Sequence, residues 1–259
     1  MHTAQISKDT VARNFSRYAH LYDKYSDIQR LAAEGLIKEL PCNGIKNILE
    51  IGCGTGNYTR LLRERFKDSS IKALDISRRM IEAAKEKFPE GKIDFILVDA
   101  EEADINDKFD LITSNAAFQW FNNLERVFVR YKKALKKNGV IAFTSFGPFT
   151  FLELKQSLRE ALDKDVSISS ANFLEKGELG AILKRHFKEV WMKELIVKER
   201  HSSFGELVKK IKYTGARGRG ANGHFLWSEG LLKKIEEAYK KRFGRIEATY
   251  QIFFFRAVR

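Results

Sequence analysis

The sequence predicts an α/β fold: a doubly wound, seven-stranded, mostly parallel sheet with N-terminal helices and C-terminal helical insertions. Three observations predict it. Five short β-rich runs alternate with helical stretches between residues 47 and 146, the signature of right-handed βαβ units. A glycine-rich turn, "GCGTG", follows the first of these runs and opens a helix, as ligand-binding turns of wound sheets do. Acids stand at or near the ends of the first three runs, at Glu50, Asp75 and Asp99.

Each element has its own justification. Residues 8–40 read as two helices, because Val11, Phe15, Tyr18, Leu21 and Tyr22, then Ile28, Leu31, Leu36 and Leu40, recur at helical spacing. The period then shortens to that of strands in "NILEIG" (47–52), "IKALDI" (71–76), "IDFILVD" (93–99), "FDLITS" (109–114) and "VIAFTSF" (140–146). "NYTRLLRERF", "SRRMIEAAKEKF" and "LERVFVRYKKALKK" are the intervening helices. Beyond Phe146 come two helices, the strand "EVWMKELIVKE", the helix "SFGELVKKIKYTG", a Gly/Arg loop, the helix "SEGLLKKIEEAYKKRF" and the strand "EATYQIFFFRAV". The last strand suits an antiparallel addition, although nothing in the sequence fixes its direction. The three prolines, Pro41, Pro89 and Pro148, fall between elements. The expected organisation is one domain over 1–259, with helices over the site at 1–40, a ligand-binding core at 45–147, and substrate-side helices with the last two strands at 148–259.

Composition narrows the class. A chain of 259 residues, 44% hydrophobic and 12% aromatic, can bury a real core. No apolar run reaches membrane-spanning length and the N-terminus lacks a secretory pattern, so a soluble, cytoplasmic protein with no membrane partner is expected. Cys42 and Cys53 fit a reducing compartment and cannot build a metal cluster alone, and the five histidines show no ligand-like spacing around them. No metal is expected. The net charge of +13 has three readings: a solvated lysine-rich surface, an acidic protein or anionic substrate steered by the field, or nucleic acid.

The turn "LEIGCGTGN" places Gly52, Gly54 and Gly56 where the backbone must bend tightly and approach a ligand. A dinucleotide fingerprint would put its third glycine at the position of Asn57, and no G-K-[ST] follows for a P-loop. Glu50 ahead of the glycines would repel phosphate and suit a cation, or bond backbone amides of the turn. Asp75 suits two ribose hydroxyls, or caps the helix starting near Ser77. Asp99 suits an adenine amino group, or caps a turn. Taken together these residues describe a pocket for a nucleoside with a positive charge and no phosphate, a description that S-adenosylmethionine meets.

The stretch "TSNAAFQWFNN" (113–123) after the fourth run contains no His, Lys, Cys, Asp or Glu. Trp120, Phe118 and Phe121 either wall a site or form core for the next helix, while Gln119 and Asn115 can orient polar atoms.

The motifs "LEIGCGTGNYT", "ALDIS", "LVDAEE" and "FDLITSNAAFQW" resemble the successive motifs of class I S-adenosylmethionine-dependent methyltransferases, with their Rossmann-like fold. "VARNFSRYAHLYDKYSDIQR", "SNAAFQWFNNL" with "GVIAFTSFGPFTFLEL", "VKKIKYTGARG" and "ATYQIFFFRA" are similar to the malonyl-acyl-carrier-protein O-methyltransferases of biotin synthesis, over essentially the whole chain. The resemblance implies methylation of the free carboxylate of malonyl on acyl carrier protein or coenzyme A, a charge-hiding ester that starts pimeloyl synthesis. It implies cofactor contacts from Glu50, Gly52, Cys53, Gly54, Gly56, Asp75, Ile76, Asp99, Ala100 and Ser114, and a reaction site with Tyr22, Gln119 and Trp120. Tyr18, Asn115, Lys212 and Arg217 are the substrate-side candidates, Arg217 first for the carboxylate because a guanidinium fork fixes its geometry, with Lys212 and Arg219 behind it. The "ARGRG" run is more arginine-rich than the family pattern.

The chemistry agrees. A malonyl carboxylate titrates near about 4 and is already a nucleophile, so a loop without titratable groups suffices if it aligns the reactants and excludes water. Rival readings fare worse. A nucleic-acid amino-methyltransferase would carry N/D-P-P-Y/F where "SNAAF" stands, and a ring-carbon methyltransferase would want a cysteine there. Another small-carboxylate methyltransferase shares the fold without a carrier-protein surface. A non-enzymatic binding module would not need the glycine turn with its acids. No nucleic-acid partner is expected.

Overall fold

The structure is a computed structural model that describes residues 6–166, 168–215 and 228–259. Its strands are β1 (Asn47–Ile51), β2 (Ser70–Asp75), β3 (Ile93–Leu97), β4 (Phe109–Asn115), β5 (Leu135–Phe146), β6 (Lys188–Arg200) and β7 (Glu247–Val258). They form one seven-stranded sheet in the order β3-β2-β1-β4-β5-β7-β6. The first five strands pair in parallel. β7 inserts antiparallel between β5 and β6, which settles the direction the sequence left open. Burial explains its place: β7 is buried at nearly every position, as a strand covered on both faces must be, whereas β6 shows exposed and half-buried positions along its length.

Ten helices surround the sheet among the described residues: α1 (Lys8–Arg17), α2 (Ala19–Tyr25), α3 (Asp27–Glu39), α4 (Asn57–Arg65), α5 (Arg78–Lys87), α6 (Leu124–Ala134), α7 (Leu152–Leu162), α8 (Lys176–His186), α9 (Phe204–Tyr213) and α10 (Glu229–Phe243). Leu36 of α3, Leu62 of α4, Ile81 of α5, Leu154 of α7, Leu207 of α9 and Ile235 of α10 share one core layer. Phe128 and Tyr131 of α6 pack with Leu179 and Leu183 of α8 in the other.

Two expectations change. Residues 8–40 form three helices where the periodicity predicts two, because the backbone leaves helical geometry at Tyr18 (φ −123°, ψ 20°) and Ser26 (φ −95°, ψ 35°). Apolar spacing survives such breaks, so it cannot reveal them. The helix expected to run through "KKALKK" stops at Ala134, and β5 starts at Leu135, which pairs with Phe109 before the register shifts. Leu135 is fully buried there. The prolines follow α3, α5 and β5 as expected.

Candidate active site

The strand order reverses between β1 and β4, and ligands of wound sheets bind at the carboxyl ends beside such a point. β1 leaves the sheet through Gly52, Gly54 and Gly56, all at positive φ. At Gly52 a Cβ would fall 2.5 Å from the Cβ of Ala117, so only glycine lets the turn sit against the loop after β4. The Gly52 and Cys53 amides donate to the Leu74 carbonyl at 2.8 and 2.9 Å. Gly54 N–H donates to Asp75 Oδ2 at 2.8 Å, and Ser77 N–H donates to Asp75 Oδ1 at 2.8 Å. One carboxylate therefore joins the turn to the start of α5, while Ser77 itself caps that helix through Oγ.

Two cavities flank this turn. The first spans about 670 Å³ and opens to solvent. Gly52, Gly54, Asp75, Ile76, Asp99 and Ala100 form its sheet side. α1 and α2 roof it with Lys8, Val11, Phe15 and Tyr22, and Asn115, Trp120 and Phe121 close the third side. The second, about 750 Å³, is lined by Asp23, Gln29, Arg30, Cys53, Thr55 and Asn57 among others. Tyr22, Gly52, Gly54 and Asn115 belong to both walls, so the two cavities meet at a tyrosine and an asparagine.

The electrostatics favour a cation. Glu50 is fully buried behind the turn, with no hydrogen bond of good geometry to either carboxylate oxygen among the described residues and the Thr59 hydroxyl close enough to offset its burial only in part. Burial pushes it up to about 8. Burial likewise raises Asp75 to about 6, against the pull of the Ser77 and Gly54 amides. A buried carboxylate without compensation is costly, and a positive ligand relieves that cost. Glu50 behind the turn, Asp75 at its edge and Asp99 at the far wall thus gather three acids around the first cavity.

Comparison with known proteins bears on the chemistry. The family model described as "Methyltransferase domain" matches residues 49–143. A malonyl-[acyl-carrier protein] O-methyltransferase of Acetivibrio thermocellus is 34% identical, over 96% of this chain and 93% of that protein. Malonyl-[acyl-carrier protein] O-methyltransferase 2 of Ilyobacter polytropus is 35% identical, over 96% of this chain and 97% of that protein. The chain belongs to the malonyl-[acyl-carrier protein] O-methyltransferase family. Among solved structures, a putative methyltransferase of Bacillus halodurans matches with a TM-score of 0.63 at 13% identity, over 87% of this chain and 97% of that one. A Haemonchus contortus phosphoethanolamine N-methyltransferase, solved with S-adenosyl-L-methionine, matches with a TM-score of 0.64 at 18% identity, over 100% of this chain and 61% of that one. At these identities the two structures speak for the fold.

In this O-methyltransferase family member, the structure brings most of the predicted residues to the two walls and removes several. Tyr22 lies at the junction, its phenol raised by burial and by Asp75 and Asp23. Asn115 lies there too, with Nδ2 donating to the Gln29 carbonyl at 2.9 Å and Oδ1 accepting from Thr144 Oγ1 at 2.7 Å. Cys53 lines the second cavity, its thiol raised by burial. Trp120 lines the first cavity and meets Phe15 edge-on at 6.1 Å. Phe121 joins that wall, but Phe118 is fully buried against Phe128, Tyr131 and Phe143, so it is core.

Gln119 stands outside the wall, and its Nε2 donates back to the Ala116 carbonyl at 2.7 Å, bracing a residue at φ 56°. Ser114 is fully buried, donates to the Ile51 carbonyl at 2.9 Å and ties β4 to β1. Gly56 is the N-cap of α4 and lines neither cavity, and Glu50 acts from behind the turn. Tyr18 is displaced to the seam of α2 and α9, 5.2 Å from Tyr213, with the Lys212 ammonium 5.3 Å from its ring centroid. Neither lines these two cavities. Arg217 and Arg219 lie outside the described residues.

Sequence reasoning missed two cover residues. Asp23 accepts from Thr55 Oγ1 at 2.5 Å, Asn57 Nδ2 at 2.9 Å and Lys87 Nζ at 2.6 Å, clamping α2 to the glycine turn. Its only signal was its place beside Tyr22. Lys8 reaches the first cavity from the first turn of α1, and nothing in the sequence distinguishes it from other lysines.

Proposed function

We propose that this protein transfers a methyl group from S-adenosylmethionine to the free carboxylate of a malonyl thioester, carried by acyl carrier protein or coenzyme A. The observation that carries the reading is the junction of the two cavities. Tyr22 and Asn115 offer a phenol and an amide there, Trp120 adds an indole from the first cavity, and none of them ionises at neutral pH. Such a wall suits a substrate that brings its own nucleophile.

In this reading Asp75 accepts the ribose hydroxyls, Asp99 meets the base and Glu50 balances the positive charge. When bound, the cofactor supplies an electrophilic methyl group on a sulfonium. The protein then needs no general base, because a carboxylate with a pKa near about 4 is ionised at pH 7. Tyr22, held as the neutral phenol by burial, donates a hydrogen bond to one carboxylate oxygen and leaves the other free to attack. Phe15, Trp120 and Phe121 exclude water, which orients the reactants and strengthens every polar contact inside. The division expected from the sequence is part of the proposal, with 1–40 as cover, 45–147 as cofactor core and 148–259 as substrate side.

Homologue names point to acyl carrier protein, and a net charge of +13 suits an acidic partner. The test is to offer labelled cofactor with malonyl-carrier protein, malonyl-coenzyme A, a free dicarboxylate and tRNA in parallel. Base-labile label on the malonyl thioesters is expected. Label in tRNA alone, or in the free dicarboxylate alone, ends the reading.

A further inference from the structure

Lys8 opens α1, the first helix of the cover. Its ammonium lies 2.5 Å from Glu101 Oε2, 3.1 Å from the Trp120 carbonyl, 3.9 Å from Asp99 Oδ1 and 4.4 Å from the Phe121 ring centroid. Glu101 is itself buried and accepts the Asn122 amide at 2.9 Å and the Asn123 amide at 2.6 Å. Asn122 in turn exchanges two hydrogen bonds with the Ile6 backbone, at 2.7 and 3.0 Å. One ammonium thus joins the cover to both segments that wall the first cavity beyond Asp99: the turn after β3 and the loop after β4. Burial alone would raise the Glu101 carboxyl, but Lys8 and the two amides hold it below its ordinary value.

We infer that Lys8 is a positioning residue for the cofactor: it clasps α1 to Glu101 and to the Trp120 loop, and so sets how long the nucleoside end of the site stays covered. The inference rests on the first cavity being the cofactor site. Lifting α1 breaks the Lys8 contacts and the Phe15–Trp120 ring contact together, and leaves Glu101 with backbone donors only. The clasp is sited where it can act on binding without touching the reacting atoms.

The experiment measures S-adenosylhomocysteine binding by calorimetry and its release by stopped-flow tryptophan fluorescence, with no methyl acceptor present. Lys8→Met is expected to weaken binding about tenfold, the size of a lost charged hydrogen bond, chiefly through faster release. Lys8→Arg should recover most of the loss, and Arg17→Met, exposed on the same helix, should match the parent protein. In a double-mutant cycle, Lys8→Met should cost much less once Glu101→Gln is present. Unchanged release in Lys8→Met, or an equal cost on both backgrounds, overturns the clasp. Lys8→Gln is read in the same way should Lys8→Met not fold. A parent protein that binds no S-adenosylhomocysteine would instead refute the cofactor reading.

Discussion

Tyr22 is the residue on which the proposed chemistry turns, because its phenol stands where the cavities meet. Tyr22→Phe should lower the turnover of malonyl thioester roughly ten- to a hundredfold, the effect of one hydrogen bond to a charged group. Cofactor affinity, measured by calorimetry, should be unchanged. The acids predict a pH dependence of that affinity. Both must be ionised to serve a cation and ribose hydroxyls, and burial lifts Asp75 to about 6 and Glu50 to about 8. A raised acid is protonated below its pKa, so affinity should climb with pH in two steps and fall by up to about tenfold per unit below each. Glu50→Gln should remove the upper step and Asp75→Asn the lower; a flat profile between pH 5 and 8.5 would refute the assignment. The glycines and acids were legible in the sequence because their chemistry is tied to strand ends. Where Gln119, Ser114 and Tyr18 point was not legible, because direction is invisible at that level: the Gln119 amide and the Ser114 hydroxyl turn back onto backbone carbonyls, and Tyr18 falls at the break between α1 and α2.

At the scale of elements, the loop from Ala116 to Asn123 depends on a core it only partly belongs to. Phe118 is fully buried among Phe121, Phe128, Tyr131 and Phe143, while the neighbouring Trp120 faces the cavity. Phe118→Ala should cost about 3–5 kcal/mol of stability, the range for a buried aromatic, read by chemical denaturation. Trp120→Ala, partly supported by Phe15 and Phe173, should cost less stability and more activity. An equal stability loss in both would mean that the loop is core throughout. The βα alternation of the sheet was legible because strand and helix periods differ. The three-helix cover and the early start of β5 were not, since a break at Ser26 or a register shift at Phe109 leaves the apolar spacing intact. The insertion of β7 beside β5 pairs segments over a hundred residues apart, and its one trace in the sequence is that "YQIFFF" is apolar on both faces.

At the scale of the whole molecule, charge decides between partners that the cavity cannot distinguish. The chain carries 47 Lys and Arg against 34 Asp and Glu, so an acidic carrier protein, as proposed, would approach through an attractive field, whereas a small thioester would sample only the mouth. Several cover residues contribute outward: Arg17 and Lys24 are exposed on α1 and α2, with no carboxylate within ion-pair distance among the described residues. Screening shortens that field from about 10 Å at 0.1 M salt to about 3 Å at 1 M. Raising salt from about 0.05 to 0.5 M should therefore lower kcat/KM for malonyl-carrier protein by roughly tenfold or more through slower encounter. The same change should alter kcat/KM far less for a short malonyl thioester lacking the protein, and should leave kcat for both nearly constant. Charge reversal of Arg17 and Lys24 together should reproduce the high-salt value at low salt if this face lies on the approach path. Equal salt sensitivity of the two substrates would show that the charge acts at the malonyl carboxylate itself, and would place the deciding cation inside the site.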